Sequence, residues 1–400
     1  KSGPKIALFA ASSEYDEAAF VADKIEDLSR SGKPLSEIAV FYRTNAQSRV
    51  IEEELVNRGI PYIVVGGVRF YERREIKDVL SYLTLIVNPR CYASFTRAVQ
   101  FPKRGVGSGT IEKIAKLAAR ENIDLLQAAS ELARSSKLSA PIRTGLQDFL
   151  KIMERLKKLS TTQPANKLIK RTVDLVGFEE AYAEESNRVE AAARMENIFE
   201  LAAAAKSFFE INPDAELRDF LEQAALTTNM DSDAGITDSV SLLTLHCAKG
   251  LEFDTVFLVG LEEGLLPHHL NMEDPSLLAE ERRLCYVGIT RAKVNLFLSY
   301  ALYRSGLRFT NIARPSRFIK DIPPELIDRA EGYEEIATPA SRAPSESIRA
   351  LSTGQLVEHP AYGKGQVIMP MPNARGKITV IFFGRGLGAK EVDPDELIPL

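Results

Sequence analysis

Strand and helix signals alternate along residues 5–87 and again along 241–300, and a long stretch with helical signals only lies between them. An apolar run at 5–10 leads into an acidic helix at 14–31 and a second apolar run at 38–42. The pattern repeats as a helix at 49–58, a β-rich run at 61–65 and a helix at 75–87, the last with apolar spacing at Ile76, Val79, Leu80, Leu83 and Val87. Such alternation constrains the fold class strongly, because it predicts a mostly parallel sheet with helices on its faces. Strand signals then vanish from 94 to 220, where amphipathic segments break at Gly105, Pro141, Pro164, Gly177 and Pro213. Buried-strand patterns return at 241–245 and 255–260, followed by a helix near 277–287 and a strand at 294–300. The simplest organisation is one α/β domain in two pieces, 1–135 and 239–328, flanking an all-helical insert at 136–238. Residues 329–353 are rich in Glu, Ala, Ser and Pro and read as a linker. Short strands with Gly- and Pro-bearing turns over 354–400 predict a small β-barrel.

At 400 residues, 45% hydrophobic and 26% charged, the chain has globular composition and room for several domains. The net charge of −4 lacks the overall basic signature of many nucleic-acid binders, so any such contact is expected to be local. Cys91, Cys247 and Cys285 lie far apart with no Cys-x-x-Cys spacing, which supports neither a zinc cluster nor a disulfide framework and points to a reducing cytoplasm. His268 and His269 are adjacent, and sequence neighbours point apart on a strand or helix, so no metal site is expected there. No apolar run approaches the ~20 residues of a membrane span, and the opening Lys-Ser-Gly-Pro resembles neither a signal peptide nor an initiator. The chain is expected to begin partway through a longer protein.

Three segments carry chemistry. Residues 240–267 read VSLLTLHCAKGLEFDTVFLVGLEEGLLP, two buried strands joined by a loop with His246, Lys249, Gly250 and Glu252. In open α/β sheets ligands bind at the carboxyl ends of strands, and this loop leaves such an end; a polar turn is the plainer account. Residues 280–293 read EERRLCYVGITRAK, where a solvated charge run explains the first four residues. Arg291 differs, since it lies between helix and strand, where a planar guanidinium suits an anion at the sheet edge. Residues 40–49 read VFYRTNAQSR, a strand ending in Tyr42 and Arg43. An aromatic face can stack on a base and the adjacent arginine can pair with phosphate, although a core tyrosine and a surface charge fit equally.

Together these segments resemble the motifs of the second RecA-like domain of superfamily-one DNA helicases of the UvrD/PcrA/Rep group. YRTNAQSR, GGVRFYERREIKDVLSYL, NP, FPKRGVG, TLHCAKGLEF, EEGLLP, EERRLCYVGITRA and PSRF stand in the same order at similar spacing, over nearly the whole chain. The resemblance implies a RecA-like, P-loop-NTPase-like parallel sheet domain with a helical insert, followed by a Tudor-like (SH3-like) barrel that docks partners such as RNA polymerase. It implies the C-terminal half of an ATP-dependent 3′–5′ DNA helicase acting in repair or replication on single-stranded DNA and its duplex junctions, with Mg²⁺-ATP as cofactor. By the same resemblance Tyr42 stacks on adenine, Arg43 touches the γ-phosphate, Gly250 and Glu252 contact the nucleotide, Arg291 is the arginine finger, and His246 meets DNA. Arg104, Gly105 and Gly107 of RGVG, and Gly177 in VGFEEAY, resemble turns whose backbone amides hold DNA phosphates. A helix C-cap accounts for either glycine as well.

Two departures stand out. Relatives place a base-stacking phenylalanine where this chain has Leu307, with Phe309 two residues on, and carry acidic residues after Asn-Pro where it has Arg90, Cys91 and Tyr92. No G-x-x-x-x-G-K-[ST] occurs, so the phosphate cradle is expected on a missing N-terminal RecA-like domain, and this chain alone should not hydrolyse ATP. Two rivals follow: a non-enzymatic DNA- or polymerase-binding adaptor, and a helicase–nuclease subunit, for which the C-terminal residues leave no room.

Overall fold

The computed structural model describes residues 3–163, 165–229, 238–304, 313–329, 356–369, 378–382 and 388–399. They fall into two compact units, one holding residues up to Gly67 and from 238 onward, the other residues 68–229. The packing thus divides at 67/68, whereas the motif order places the edge of the sheet domain at 135/136. The helices from Arg74 to Arg134 share their apolar faces with later helices in one core, and amphipathic spacing alone does not say which core a helix joins.

The first unit contains a seven-stranded parallel sheet. Its strands are β1 (Ile6–Ser13), β2 (Ile38–Tyr42), β3 (Tyr62–Val64), β4 (Val240–Thr244), β5 (Phe253–Leu258), β6 (Ala292–Tyr303) and β7 (Ile327–Arg329), in the order β3-β4-β2-β5-β6-β1-β7. All five residues of central β2 are buried, as a strand covered on both faces requires. Helix α1 (Glu14–Arg30) follows β1, and the Ser13 hydroxyl caps it by accepting from the Asp16 N–H at 3.2 Å. Glu14, Asp16 and Glu17 fill its first turn, where the helix dipole favours negative charge. Helix α2 (Ser48–Asn57) leads to β3.

The second unit is helical: α3 (Arg74–Val87), α4 (Tyr92–Gln100), α5 (Ser108–Glu121), α6 (Leu125–Arg134), α7 (Ala140–Ser160), α8 (Ala165–Val176), α9 (Phe178–Glu185), α10 (Arg188–Ile211) and α11 (Leu217–Asn229). Ile76, Val79 and Leu83 put the apolar stripe of α3 into the core, and the rings of Tyr82, Phe95, Phe149 and Phe178 surround it. Gly145 of α7 packs so closely on the 102–107 loop that a Cβ there would lie 2.1 Å from the Arg104 carbonyl oxygen. Gly145→Ala gains about 1 kcal/mol of helix propensity but forces backbone apart, so a net loss of roughly 1–3 kcal/mol is expected in urea unfolding.

Helix α12 (Pro275–Ile289) belongs to the first unit and joins β5 to β6. The C-terminal strands β8 (Leu356–His359), β9 (Gly363–Met369), β10 (Ile378–Phe382), β11 (Gly388–Val392) and β12 (Ile398–Pro399) form an antiparallel sheet in the order β11-β10-β9-β8-β12. The described residues thus show a small antiparallel sheet in place of the expected closed barrel; its core is Val357, Val367, Ile378, Val380, Val392 and Leu397. No helix among the described residues is long and apolar enough to cross a membrane.

Candidate functional site

Strand register separates the sequence-predicted residues onto two opposite edges of the parallel sheet. Tyr42 pairs with Thr244 and Phe41 with Leu258, so Arg43 and His246 lie just past the carboxyl ends of β2 and β4. Phe253 pairs with Ala292, so Glu252 and Arg291 lie just before the amino ends of β5 and β6. The length of β5, about 20 Å at roughly 3.3 Å per residue, lies between the edges. The 245–252 segment leaves the carboxyl edge at His246 and returns to the amino edge at Glu252, and α12 makes the same crossing. It packs close to the 245–248 turn, since a Cβ at Gly288 would lie 2.4 Å from a Leu245 methyl carbon.

At the amino edge Arg291 is half-buried, and its guanidinium meets neutral groups only. Nε donates to the Val287 carbonyl at 3.0 Å, Nη1 to the Leu251 carbonyl at 3.3 Å and Nη2 to the Thr290 hydroxyl at 3.1 Å. The Phe253 N–H donates to the Arg291 carbonyl at 3.0 Å, which ties the arginine to the incoming loop. Among the described residues it has no carboxylate partner, so its positive charge is uncompensated. Gly250 turns the loop in the left-handed region at φ +87°, which a side chain disfavours. The exposed Glu252 carboxylate makes no hydrogen bond or ion pair with the described residues. A fixed cation, a glycine turn and an open carboxylate on one edge fit the polar parts of a nucleotide held from the other side.

The carboxyl edge is organised by Glu281, whose side chain is 1% exposed. Its oxygens accept from Arg43 Nε at 3.0 and 3.2 Å and Nη2 at 2.6 Å, from the His268 N–H at 3.0 Å and from Asn271 Nδ2 at 2.7 Å. Burial opposes the charge on Glu281, but these hydrogen bonds outweigh it and hold the carboxyl below its ordinary pKa. The exposed His246 imidazole also lies below its ordinary value, through desolvation and then the positive Arg43, so it is neutral near pH 7.

Two of the expected site residues stand apart from the amino edge. Tyr42 is fully buried among Ile38, Val40, Leu242 and Phe257, so it offers no face to adenine. Arg43 lies at the opposite end of the strands from Arg291. A charge run hid Glu281, although Glu281, Cys285 and Gly288 are the buried residues of α12, and their i, i+4, i+7 spacing marks one face.

The helical unit is mixed. Arg104 points inward: Nη1 donates to the Ala98 and Pro102 carbonyls at 3.1 Å each, and the guanidinium lies over the Tyr82 and Phe149 rings. Gly105 adopts φ +72°, and Gly107 is the N-cap of α5 with no side-chain cap; the exposed Lys103 nearby in sequence pairs with Glu185 at 3.8 Å. Gly177 opens α9 at φ +76°, but Glu179 and Glu180 put negative charge in that first turn, against a phosphate. Leu307 and Phe309 lie outside the described residues.

A seven-stranded parallel α/β sheet, consistent with a RecA-like fold and interrupted in sequence by an all-helical unit, defines the fold class. Comparison with known proteins narrows it. The family described as UvrD-like helicase C-terminal domain matches residues 1–303. The ATP-dependent DNA helicase PcrA of Bacillus subtilis (strain 168) is 37% identical over 98% of this chain and 56% of its own length. DNA helicase II of Escherichia coli (strain K12) is 36% identical over 96% of the chain and 55% of its own length. The chain belongs to the UvrD-like helicase C-terminal domain family, and it spans little more than half the length of these relatives.

Proposed function

We propose that this chain is the C-terminal motor half of an ATP-dependent DNA helicase that moves 3′ to 5′ along single-stranded DNA in repair or replication. The observation that carries the reading is Arg291, a cation fixed between α12 and β6 with only neutral hydrogen-bond partners. Arg291, Gly250 and Glu252 face Mg²⁺-ATP whose phosphates are held by an N-terminal RecA-like domain. Bound there, ATP would supply a γ-phosphoryl group for transfer to water, with ADP as the leaving group. Arg291 neutralises charge developing on that group, and Glu252 accepts hydrogen bonds on the sugar side.

Arg43 and neutral His246 take the DNA strand at the opposite edge, where a fork donor and an imidazole suit phosphate and base edges. The α5 amides after Gly105 and Gly107, with Lys103, hold a further DNA phosphate. The parallel sheet domain is read as 1–135 and 239–328 by motif and as split at 67/68 by packing. The C-terminal sheet is a Tudor-like docking module, and RNA polymerase is the partner that the resemblance suggests. The protein works in the cytoplasm.

The test is made on the full-length protein. Single-stranded DNA is expected to stimulate its ATP hydrolysis at least tenfold, and duplexes with a 3′ tail, not a 5′ tail, should be unwound. The 400-residue chain alone should hydrolyse no ATP. DNA binding without stimulated hydrolysis would favour the adaptor reading instead.

A further inference from the structure

Glu281 lies in a run, Glu280-Glu281-Arg282-Arg283, that a solvated helix face explains; yet its carboxylate is withdrawn from water and accepts from two separate pieces of chain. Arg43 comes from the end of β2, the His268 N–H and Asn271 amide come from the loop after β5, and Glu281 itself sits on α12. The grip on Arg43 is one-sided. Both carboxylate oxygens engage Nε and Nη2, while Nη1 has no hydrogen-bond partner among the described residues. A guanidinium is rigid and planar, so fixing one edge aims the other. The Arg43 side chain keeps 14% of its surface exposed, enough to present that second edge beside His246. The helix that holds the carboxylate runs on to Ile289 and ends two residues before Arg291.

We propose that Glu281 is a positioning residue: it aims the free edge of Arg43 at a DNA phosphate and ties that contact to α12, the helix that carries Arg291. The inference rests on the reading of the two edges given above. A phosphate drawn to Nη1 pulls on a guanidinium already clamped to α12, so strand occupancy reaches the nucleotide edge through one helix. Buried ion pairs contribute little net stability compared with apolar packing, which leaves orientation as the reason for placing a charge here.

The experiment measures ATP hydrolysis by the full-length protein against single-stranded DNA concentration for wild type, Glu281→Gln, Glu281→Asp and Arg43→Ala, and for the Arg43→Ala/Glu281→Gln pair. For Glu281→Gln the half-saturating DNA concentration is expected to rise tenfold or more and maximal stimulation to fall severalfold, a larger change than in DNA-free hydrolysis. Glu281→Asp should recover part of the affinity. The double variant should bind DNA no more weakly than Arg43→Ala alone, because both changes remove one contact. Unaltered DNA affinity in Glu281→Gln, additive losses in the double variant, or DNA-free hydrolysis and melting temperature falling in step with affinity would each overturn the proposal. If wild type itself shows no DNA stimulation, the helicase reading fails and this inference falls with it.

Discussion

In the full-length protein, Arg291→Ala is expected to lower DNA-stimulated ATP turnover by about 10³-fold or more while leaving single-stranded DNA affinity within threefold. Loss of a residue that neutralises charge only in the transition state lowers turnover by that factor, roughly 4 kcal/mol or more of barrier. The local geometry lets the substitution be read cleanly. Arg291 hydrogen-bonds to two backbone carbonyls and one hydroxyl and to no carboxylate, so alanine strands no buried charge and the fold should persist. Those carbonyls lie at the sheet edge, where water replaces the lost donors. Arg291→Lys is expected to recover little, since a point charge cannot keep two carbonyls and still reach an anion as a planar fork does. Steady-state hydrolysis with saturating single-stranded DNA, paired with DNA binding by fluorescence anisotropy, checks both halves. Turnover within tenfold of wild type would remove Arg291 from the chemistry.

The sequence disclosed the sheet more fully than the site. Buried parallel strands are near-continuous apolar runs, so β2 was legible to the residue and β4, β5 and β6 to within a few. β7 escaped because three residues, Ile327–Arg329, are too few to show a period. Motif order placed Glu252 and Arg291 together, and the register Phe253 with Ala292 is what joins them. The tyrosine–arginine pair was open to two readings because a strand end looks alike whether its last ring is in the core or at the edge. The burial of Tyr42 and the distant partner Glu281 decide between these, and both are tertiary facts. The same holds for Arg104, where a glycine-bearing loop suggests a phosphate contact and the rings of Tyr82 and Phe149 draw the guanidinium inward.

Arg304→Ala is expected to destabilise the sheet unit by about 3–5 kcal/mol, more at pH 8 than at pH 5. Arg304 leaves the end of β6 and, among the described residues, lies between two buried carboxylates, Glu17 and Glu262. Its Nε and Nη2 donate to Glu262 at 2.8–3.0 Å, and Nη2 also donates to Glu17. Those carboxylates in turn hold backbone: Glu17 accepts from the Gly260 N–H at 2.9 Å and the Ser299 hydroxyl at 2.7 Å, and Glu262 from the Ala301 N–H at 2.7 Å. Alanine leaves two negative charges facing each other out of water. Burial already raises the Glu262 carboxyl above its ordinary pKa, more than the Arg304 charge lowers it, and without that charge it rises further. A carboxyl with a raised folded-state pKa binds its proton more tightly when folded. The stability linked to that proton is therefore present at low pH and is lost as pH rises through the folded value. Urea unfolding of wild type and variant at the two pH values reads the difference. Adding Glu262→Gln should recover part of the loss at pH 8, because the amide oxygen still accepts from Ala301 and the buried charge is gone. An Arg304→Ala penalty below about 1 kcal/mol, or one that shrinks as pH rises, would show that the two carboxylates find other compensation.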